Sequence, residues 1–306
     1  MLTGLPMDDE TDRRRPVAVM YENTKAALPH RGISSAGLCF EIPVEGAINR
    51  ILGVFTEYNE VENIGPVRSA RDYFIDYAQA VGAVFVHYGG SPQAYSAVKD
   101  RVIANLDGIN SKVDSGMFFR DAERKARSGA THSVFAYGAK IDKLIDSFQY
   151  RKEVSEDRGT AFSFADSVVT PTGLSAATIS VKYSDYITGT FKYDMQTGLY
   201  MRSQFGEPHV DELNGKQVAV TNVAVIFTPC TLIKGDSAGR IKVNTVGSGD
   251  GYLFTAGGGT KIKWSKADHA APLVITDESG EEVKLNKGKT WVCVTPTSME
   301  KSFKYE

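Results

Sequence analysis

The chain has 306 residues, 42% hydrophobic and 24% charged, with a formal net charge of −2. That length accommodates two domains, and the composition is that of an ordinary soluble globular chain. A slightly acidic balance excludes the strong basic excess of a general nucleic-acid binder. Cys39, Cys230 and Cys293 are far apart, with no CxxC pair and no Cys/His zinc spacing. They read as small hydrophobes, with no disulfide framework, no metal site and no cofactor motif. No apolar run approaches the ~18–20 residues of a membrane span, and no signal peptide opens the chain. Residues 1–15 are polar and end in Arg13-Arg14-Arg15. They read as a tether, the kind of start that removal of an export signal would leave.

In chain order, Pro16 to Tyr21, Ala36 to Val44 and Arg50 to Tyr58 are strand candidates. The short Gly-containing link Glu45 to Asn49 suggests a hairpin between the second and third. Then comes Asn63-Ile-Gly-Pro-Val-Arg-Ser-Ala-Arg-Asp-Tyr73. From Ala70 the apolar positions 70, 73, 74, 77, 78 and 81 trace one helical face. Ala83 to Val86 is a short buried-type strand. Gly89-Gly90 breaks it, Ser91 can cap a helix and Pro92 suits its first position, with the helix running to about Val102. Strand–helix–strand–helix order implies a parallel βαβ unit, whose ligands bind beyond the carboxyl ends of the strands. Residues 117–132 read as a basic loop, and residues 139–149 as an amphipathic helix.

Between about 155 and 172 periodicity is lost, and the second half changes character. Thr178 to Tyr183 alternates, Gly189 to Arg202 reads as a hairpin about Gly198, and seven short strand candidates follow between Gln217 and Val294. The reading is α+β: a tether over 1–15, an α/β domain with a mixed sheet over 16–160, and a mainly-β domain over 161–306.

Unpaired N–H groups at helix starts favour anions, and cations placed there oppose the helix dipole unless an anion sits among them. Arg68 and Arg71, three apart on what reads as one helical turn, therefore nominate an anion site together with Ser69, His87, Gly89, Gly90, Ser91 and Gln93. The structural alternatives are Arg68 pairing with Asp72 and Arg71 with a carboxylate such as Glu45. His87 and Glu45 are the candidates for acid–base work. Ser91 is better explained as a cap than as a nucleophile, because no Gly-x-Ser-x-Gly elbow surrounds it. Arg120, Asp121, Arg124, Lys125, Arg127 and His132 form a second basic cluster, suited to phosphate or carboxylate or else to a solvated loop. His209 and Asp211 lack a third metal ligand.

Several strings resemble the YerB-like family of bacterial lipoproteins, whose biochemical function is unassigned. They include Leu2-Thr-Gly-Leu-Pro, Arg15-Pro-Val-Ala-Val-Met, Glu45-Gly46 with Arg50, and Ile64-Gly-Pro-Val-Arg-Ser-Ala-Arg. Further along come His87-Tyr-Gly-Gly-Ser-Pro-Gln, Phe119-Arg-Asp-Ala-Glu-Arg-Lys, Pro208-His-Val-Asp, Trp264-Ser-Lys-Ala-Asp and Gly288-Lys-Thr-Trp-Val. The chain departs from the family pattern at Thr131-His132-Ser133, where Pro-His-Asn is usual, and at His269, where arginine is expected. The resemblance implies N- and C-terminal domains behind a lipoprotein signal, anchored by lipid alone on the outer face of the bacterial cytoplasmic membrane. It carries over no catalytic residue. The combined expectation is an envelope protein binding an anionic small molecule, a phosphorylated glycan, a lipid phosphate or a carboxylate. The alternatives are an envelope hydrolase or phosphoryl transferase using the same pocket, and a scaffold with a protein partner on its C-terminal domain.

Overall fold

The computed structural model describes residues 2–8, 11, 13–155 and 161–306. The first half contributes five strands to the main sheet: β1 (Val17–Glu22), β2 (Leu38–Pro43), β3 (Asn49–Phe55), β4 (Val84–His87) and β5 (Asn105–Asp107). The second half adds β6 (Thr178–Lys182), β7 (Thr188–Asp194), β8 (Leu199–Gln204), β9 (Asn222–Thr228), β10 (Gly247–Thr255), β11 (Gly258–Lys266), β12 (Val274–Thr276) and β13 (Thr290–Pro296). Among the described residues the α-helices include α1 (Asp72–Ala80), α2 (Pro92–Asp100), α3 (Ser111–Met117), α4 (Ala122–Ser128) and α5 (Ile141–Ser147). The class is α+β, with a mixed sheet in the first half and a mainly-β second half.

The halves share one eleven-stranded sheet, with β12-β11-β10-β9-β13-β2-β3-β1-β4-β5 along its path. The join is the parallel pair β2–β13, which sets Leu38 against Thr290 and Glu41 against Cys293. Strands β1, β2, β3, β9 and β13 are buried along their whole length. Their near-continuous apolar runs suit a sheet covered on both faces. One face carries α1 and α2, packed through Tyr73, Phe74, Tyr77 and Ala94 against Ala18, Met20 and Phe40. The other carries a second, six-stranded sheet, with β8-β7-β6 at the middle of its path. There only alternate residues, such as Ile179, Val181, Phe191 and Tyr200, face the core, as expected of a sheet covered on one side.

Three expectations are revised. The parallel crossover is β4–α2–β5. β3 and β4 lie on either side of β1, antiparallel and parallel to it, so β3–α1–β4 is no βαβ unit. Residues 117–132 are not a loop: they hold the short strand Phe118–Arg120 and then α4, which Asp121 caps by accepting from the Arg124 N–H at 2.8 Å. The proposed tether is anchored at its start. Leu2 is buried beside Leu38, and the Thr3 carbonyl accepts from the Gly288 N–H at 2.8 Å. The predicted domain boundary, between about 155 and 172, overlaps residues 156–160, which lie outside the described residues. Among the described residues no helix is long and apolar enough to cross a membrane.

Candidate functional site

Strands β1, β2, β4, β5, β9 and β13 run in one sense, so their carboxyl ends share one edge, where antiparallel β3 begins. That edge gathers Glu22, Glu41, Arg50, His87 and Asp107 at strand ends, and Glu45 on the β2–β3 turn.

Arg71 occupies the capping position of α1, but Arg68 lies before the helix in extended chain. The two therefore do not share a helical turn. The physical reason is that residues 67–70 are pinned from both sides. Arg68 N–H donates to the Met20 carbonyl at 2.9 Å, and Ala70 N–H donates to Gly89 O at 2.8 Å. From across, Tyr88 N–H donates to Arg68 O at 3.1 Å and Ser91 N–H to Ala70 O at 3.2 Å. The Ser69 hydroxyl adds a bond to Tyr88 O at 3.0 Å. The segment that approaches Gly89-Gly90 closely is thus the protein's own. Gly89 has φ +77°, and a Cβ there would lie 3.3 Å from Ser69 Oγ. Ser91 is a cap, accepting from the Ala94 N–H at 3.1 Å.

The charges around this corner are unevenly matched. Arg71 chelates Glu45, with Nε 3.0 Å from Oε2 and a second contact from its terminal nitrogen to Oε1. Burial favours the protonated carboxyl of Glu45, but the hydrogen bonds and charge of Arg71 outweigh it and hold the group below its ordinary range. Arg68 Nε and His132 Nδ1 approach the same Glu22 oxygen, at 3.2 and 3.0 Å. Arg50 is 4% exposed and has less. One terminal nitrogen donates to Ser69 O at 2.5 Å, Glu45 stands 3.9 Å from the other, and the buried Nε has no hydrogen-bond partner. Burial, then the charges of Arg71 and Arg68, push Arg50 down to about 10. Three guanidiniums thus face two carboxylates.

His87 is sealed in: Nδ1 lies 2.8 Å from Gly89 O and Nε2 3.2 Å from the Asn105 amide. A carbonyl can only accept, so Nδ1 carries the proton and Nε2 accepts. Burial pushes this histidine down, toward its neutral form. With both nitrogens occupied and 1% exposure, it has none to offer a ligand. Gln93, at the start of α2, is half-buried and its Oε1 lacks a partner.

The second basic cluster does not converge. Arg124 turns inward, donating to Ala27 O at 2.7 Å, Pro29 O at 2.8 Å and Glu212 at 2.6 Å. Arg120 donates to Ala130 O at 2.9 Å with its guanidinium 5.3 Å from the Tyr88 ring centroid. Lys125 is exposed in the last turn of α4. Only His132 reaches the corner.

Farther along the same edge is a buried polar chain that motif reading does not assemble. Glu41 accepts from Asn23, Asn49, Trp291 and Arg202, at 2.6–3.1 Å. Arg202 lies 2.6 Å from His209 Nδ1, His209 Nε2 lies 2.9 Å from His30 Nδ1, and His30 Nε2 lies 2.6 Å from the Glu22 carbonyl. Arginine only donates and a carbonyl only accepts, so a single proton placement satisfies the chain: each histidine is neutral, with its proton on Nε2. Next to it, Asp211 accepts from Gly32 N–H, Ser34 N–H and the Ser34 hydroxyl at 2.7–3.0 Å. His209 and Asp211 therefore fasten the second half onto the loop at 30–34. Among the described residues no three His, Cys, Asp or Glu side chains converge on a metal-sized site. Alternation in β8 does put Arg202 on the inward face with Tyr200 and Gln204, and Arg50 opens an otherwise apolar strand. Those placements are the signals available in sequence.

Residues 2–151 match the family described as "Protein of unknown function (DUF3048) N-terminal domain", and residues 179–292 its C-terminal domain. The chain is 28% identical over 304 residues to a Bacillus subtilis (strain 168) protein named "Putative lipoprotein YerB", covering 96% of this chain and 85% of that one. A crystal structure of the YerB protein from Bacillus subtilis matches with a TM-score of 0.84 at 27% identity, covering 96% of this chain and 95% of that chain. With both domain matches in chain order and the fold shared end to end, the chain belongs to the DUF3048 family.

Proposed function

We propose that this protein is an extracytoplasmic, lipid-anchored binding protein that takes an anionic ligand at the corner formed by Arg50, Arg68 and Arg71. The observation that carries the reading is Arg50, a buried guanidinium whose Nε is unpartnered and whose nearest carboxylate is 3.9 Å away. A buried charge without a full set of hydrogen bonds is costly, and an oxyanion would supply both the charge and the acceptors. The placement at strand carboxyl ends is where ligands of such sheets bind. Extracytoplasmic anchoring rests on the name of the Bacillus subtilis relative, a lipoprotein. The corner favours binding over turnover. Glu45 is held ionised by Arg71 and His87 has no free nitrogen, so neither candidate is poised to move a proton.

Titration calorimetry with inorganic phosphate tests the proposal. The native protein releases or takes up binding heat that saturates at one site, and Arg68→Ala weakens the affinity about tenfold, the loss expected from one charge-assisted contact. No saturable heat, or equal affinity in Arg68→Ala, overturns it.

A further inference from the structure

We infer that a cleft at the opposite edge of the main sheet binds a short peptide, about three residues long, by its free carboxyl and amino ends. The site is separate from the arginine corner. The corner lies where β2 and β13 end; the cleft lies where they begin. It measures about 710 Å³ and is lined from both halves of the chain. Clefts of this size where two domains meet are common places for small ligands. Ser34 and Ser35 precede β2, Lys289 precedes β13, and Glu57 follows antiparallel β3. Leu38 is in register with both Thr290 and Val54, so the three chains pass out of the sheet at one level.

The lining carries both signs of charge and leaves them apart. Lys216 and Lys289 come from the second half, Glu57 and Glu60 from the first. Among the described residues none of the four forms an ion pair. Lys289 is half-buried, and its ammonium donates to the Ser34 carbonyl. An ammonium has three protons, so two are left for a ligand. Burial pushes Lys289 down from its ordinary value, and a carboxylate beside it would supply both acceptors and counter-charge. The glutamates select the rest of the ligand. They repel a molecule that is anionic throughout and attract an ammonium. Strands β13, β2 and β3 are neighbours in that order, so the chains carrying Lys289 and Glu57 leave the sheet two strand spacings apart, about 10 Å. Three extended residues span about the same 10 Å, whereas one amino acid reaches only one of the two charges. Between the ends, Leu5, Val61 and Leu199 give the cleft apolar wall for side chains.

Calorimetric titration of the full chain with trialanine, N-acetyl-trialanine, trialanine amide and alanine tests the inference. The native protein binds trialanine at one saturable site. Each blocked or shortened form binds at least tenfold more weakly, the loss expected of one charge-assisted contact. Lys289→Met binds trialanine and its amide equally and still rejects the acetylated form. The paired variant Glu57→Gln with Glu60→Gln does the reverse. Both glutamates are exposed, so this pair folds even where Lys289→Met does not, and circular dichroism checks each. Arg68→Ala leaves the affinity for trialanine unchanged, which keeps the cleft distinct from the corner. No saturable binding of trialanine overturns the inference, as does binding of the blocked forms or of alanine as tight as that of trialanine. Rejection of the acetylated form that survives in the glutamate pair, or affinity for trialanine lost in Arg68→Ala, places the peptide outside the cleft and overturns it as well.

Discussion

Two clusters of the same residue types sit along one sheet edge and resolve their charges differently. In the buried chain one carboxylate, Glu41, meets one guanidinium, Arg202, and its oxygens are filled by Asn23, Asn49 and Trp291 besides. In the corner, three guanidiniums share two carboxylates and Arg50 is left with an unpartnered nitrogen. The first arrangement is closed: its donors run in one direction from Arg202 to the Glu22 carbonyl, leaving no room for an added proton. The second is open by one positive charge. Neither burial nor an unpartnered Nε, which Arg50 and Arg202 share, separates structure from function here; the ratio of guanidiniums to carboxylates does.

The comparison breaks most sharply at Arg202. Arg202→Met leaves Glu41 buried without its counter-charge, and breaking such a pair costs about 3–5 kcal/mol. Urea denaturation should show an unfolding free energy lower by that amount, with a lower midpoint. Adding Glu41→Gln to Arg202→Met should recover much of it, because the orphaned charge is then gone. A cost below about 1 kcal/mol for the single variant would mean the cluster is not closed in the sense argued here.

Acid tests the same closure through its histidines. His30 is pushed down to about 3, chiefly by burial and secondarily by Arg202 and Arg124, against the opposing hydrogen bond to the Glu22 carbonyl. His209 lies well below its ordinary value, from burial and then the charges of Arg202 and His30. In the unfolded chain both bind protons below about 6.5, and in the folded chain they do not. Stability is therefore complete above that value and falls as the pH drops toward 3. Each histidine contributes a slope of about 1.4 kcal/mol per pH unit within its window. Denaturation curves at a series of pH values read that slope, and His209→Gln should flatten it. A slope unchanged by that variant would contradict the neutral, directional chain.

How much of this was legible before the structure depended on whether a signal was local. The helix over residues 70–81, the Ser91-Pro92 start and the hairpin about Gly198 are written in neighbouring residues, and α1, α2, β7 and β8 follow them closely. Pairing of Arg71 with Glu45 was visible as an alternative because both flank predicted ends. The Glu41–Arg202 contact joins residues 161 positions apart. It depends on β2 pairing with β13 across the two halves, which no periodicity reveals. Arg124 misled for a related reason. Its basic neighbours look solvated, yet it packs under the loop at 27–29, where carbonyls and Glu212 receive it. Arg50 was masked by the apolar strand it opens.

Glu45→Gln sharpens the contrast from the other side. It removes the carboxylate that Arg71 chelates and that stands nearest Arg50, so the corner becomes more positive. Partial exposure limits the stability cost to about 1 kcal/mol. Affinity for phosphate should rise, since the competing anion has been neutralised, and calorimetry with phosphate measures it. A fall in affinity would mean that Glu45 positions the arginines rather than competing for them.

The smallest stability effect belongs to Arg68→Ala, and for that reason it is the cleanest discriminator. Arg68 is 26% exposed and its ion pair with Glu22 is shared with His132, which approaches the same oxygen. Glu22 is buried, but Arg68 itself is partly solvated and His132 Nδ1 still approaches the same carboxylate oxygen when Arg68 is gone, which should hold the cost to about 1 kcal/mol. In the closed chain, deleting an arginine destroys stability and there is no binding to lose. In the open corner, the same deletion should leave the melting curve nearly in place and remove most of the phosphate affinity. A large drop in melting temperature on Arg68→Ala, without loss of binding, would place Arg68 with Arg202 among the structural arginines. Unchanged affinity would also overturn the proposed anion site, because phosphate would then not be held at this corner.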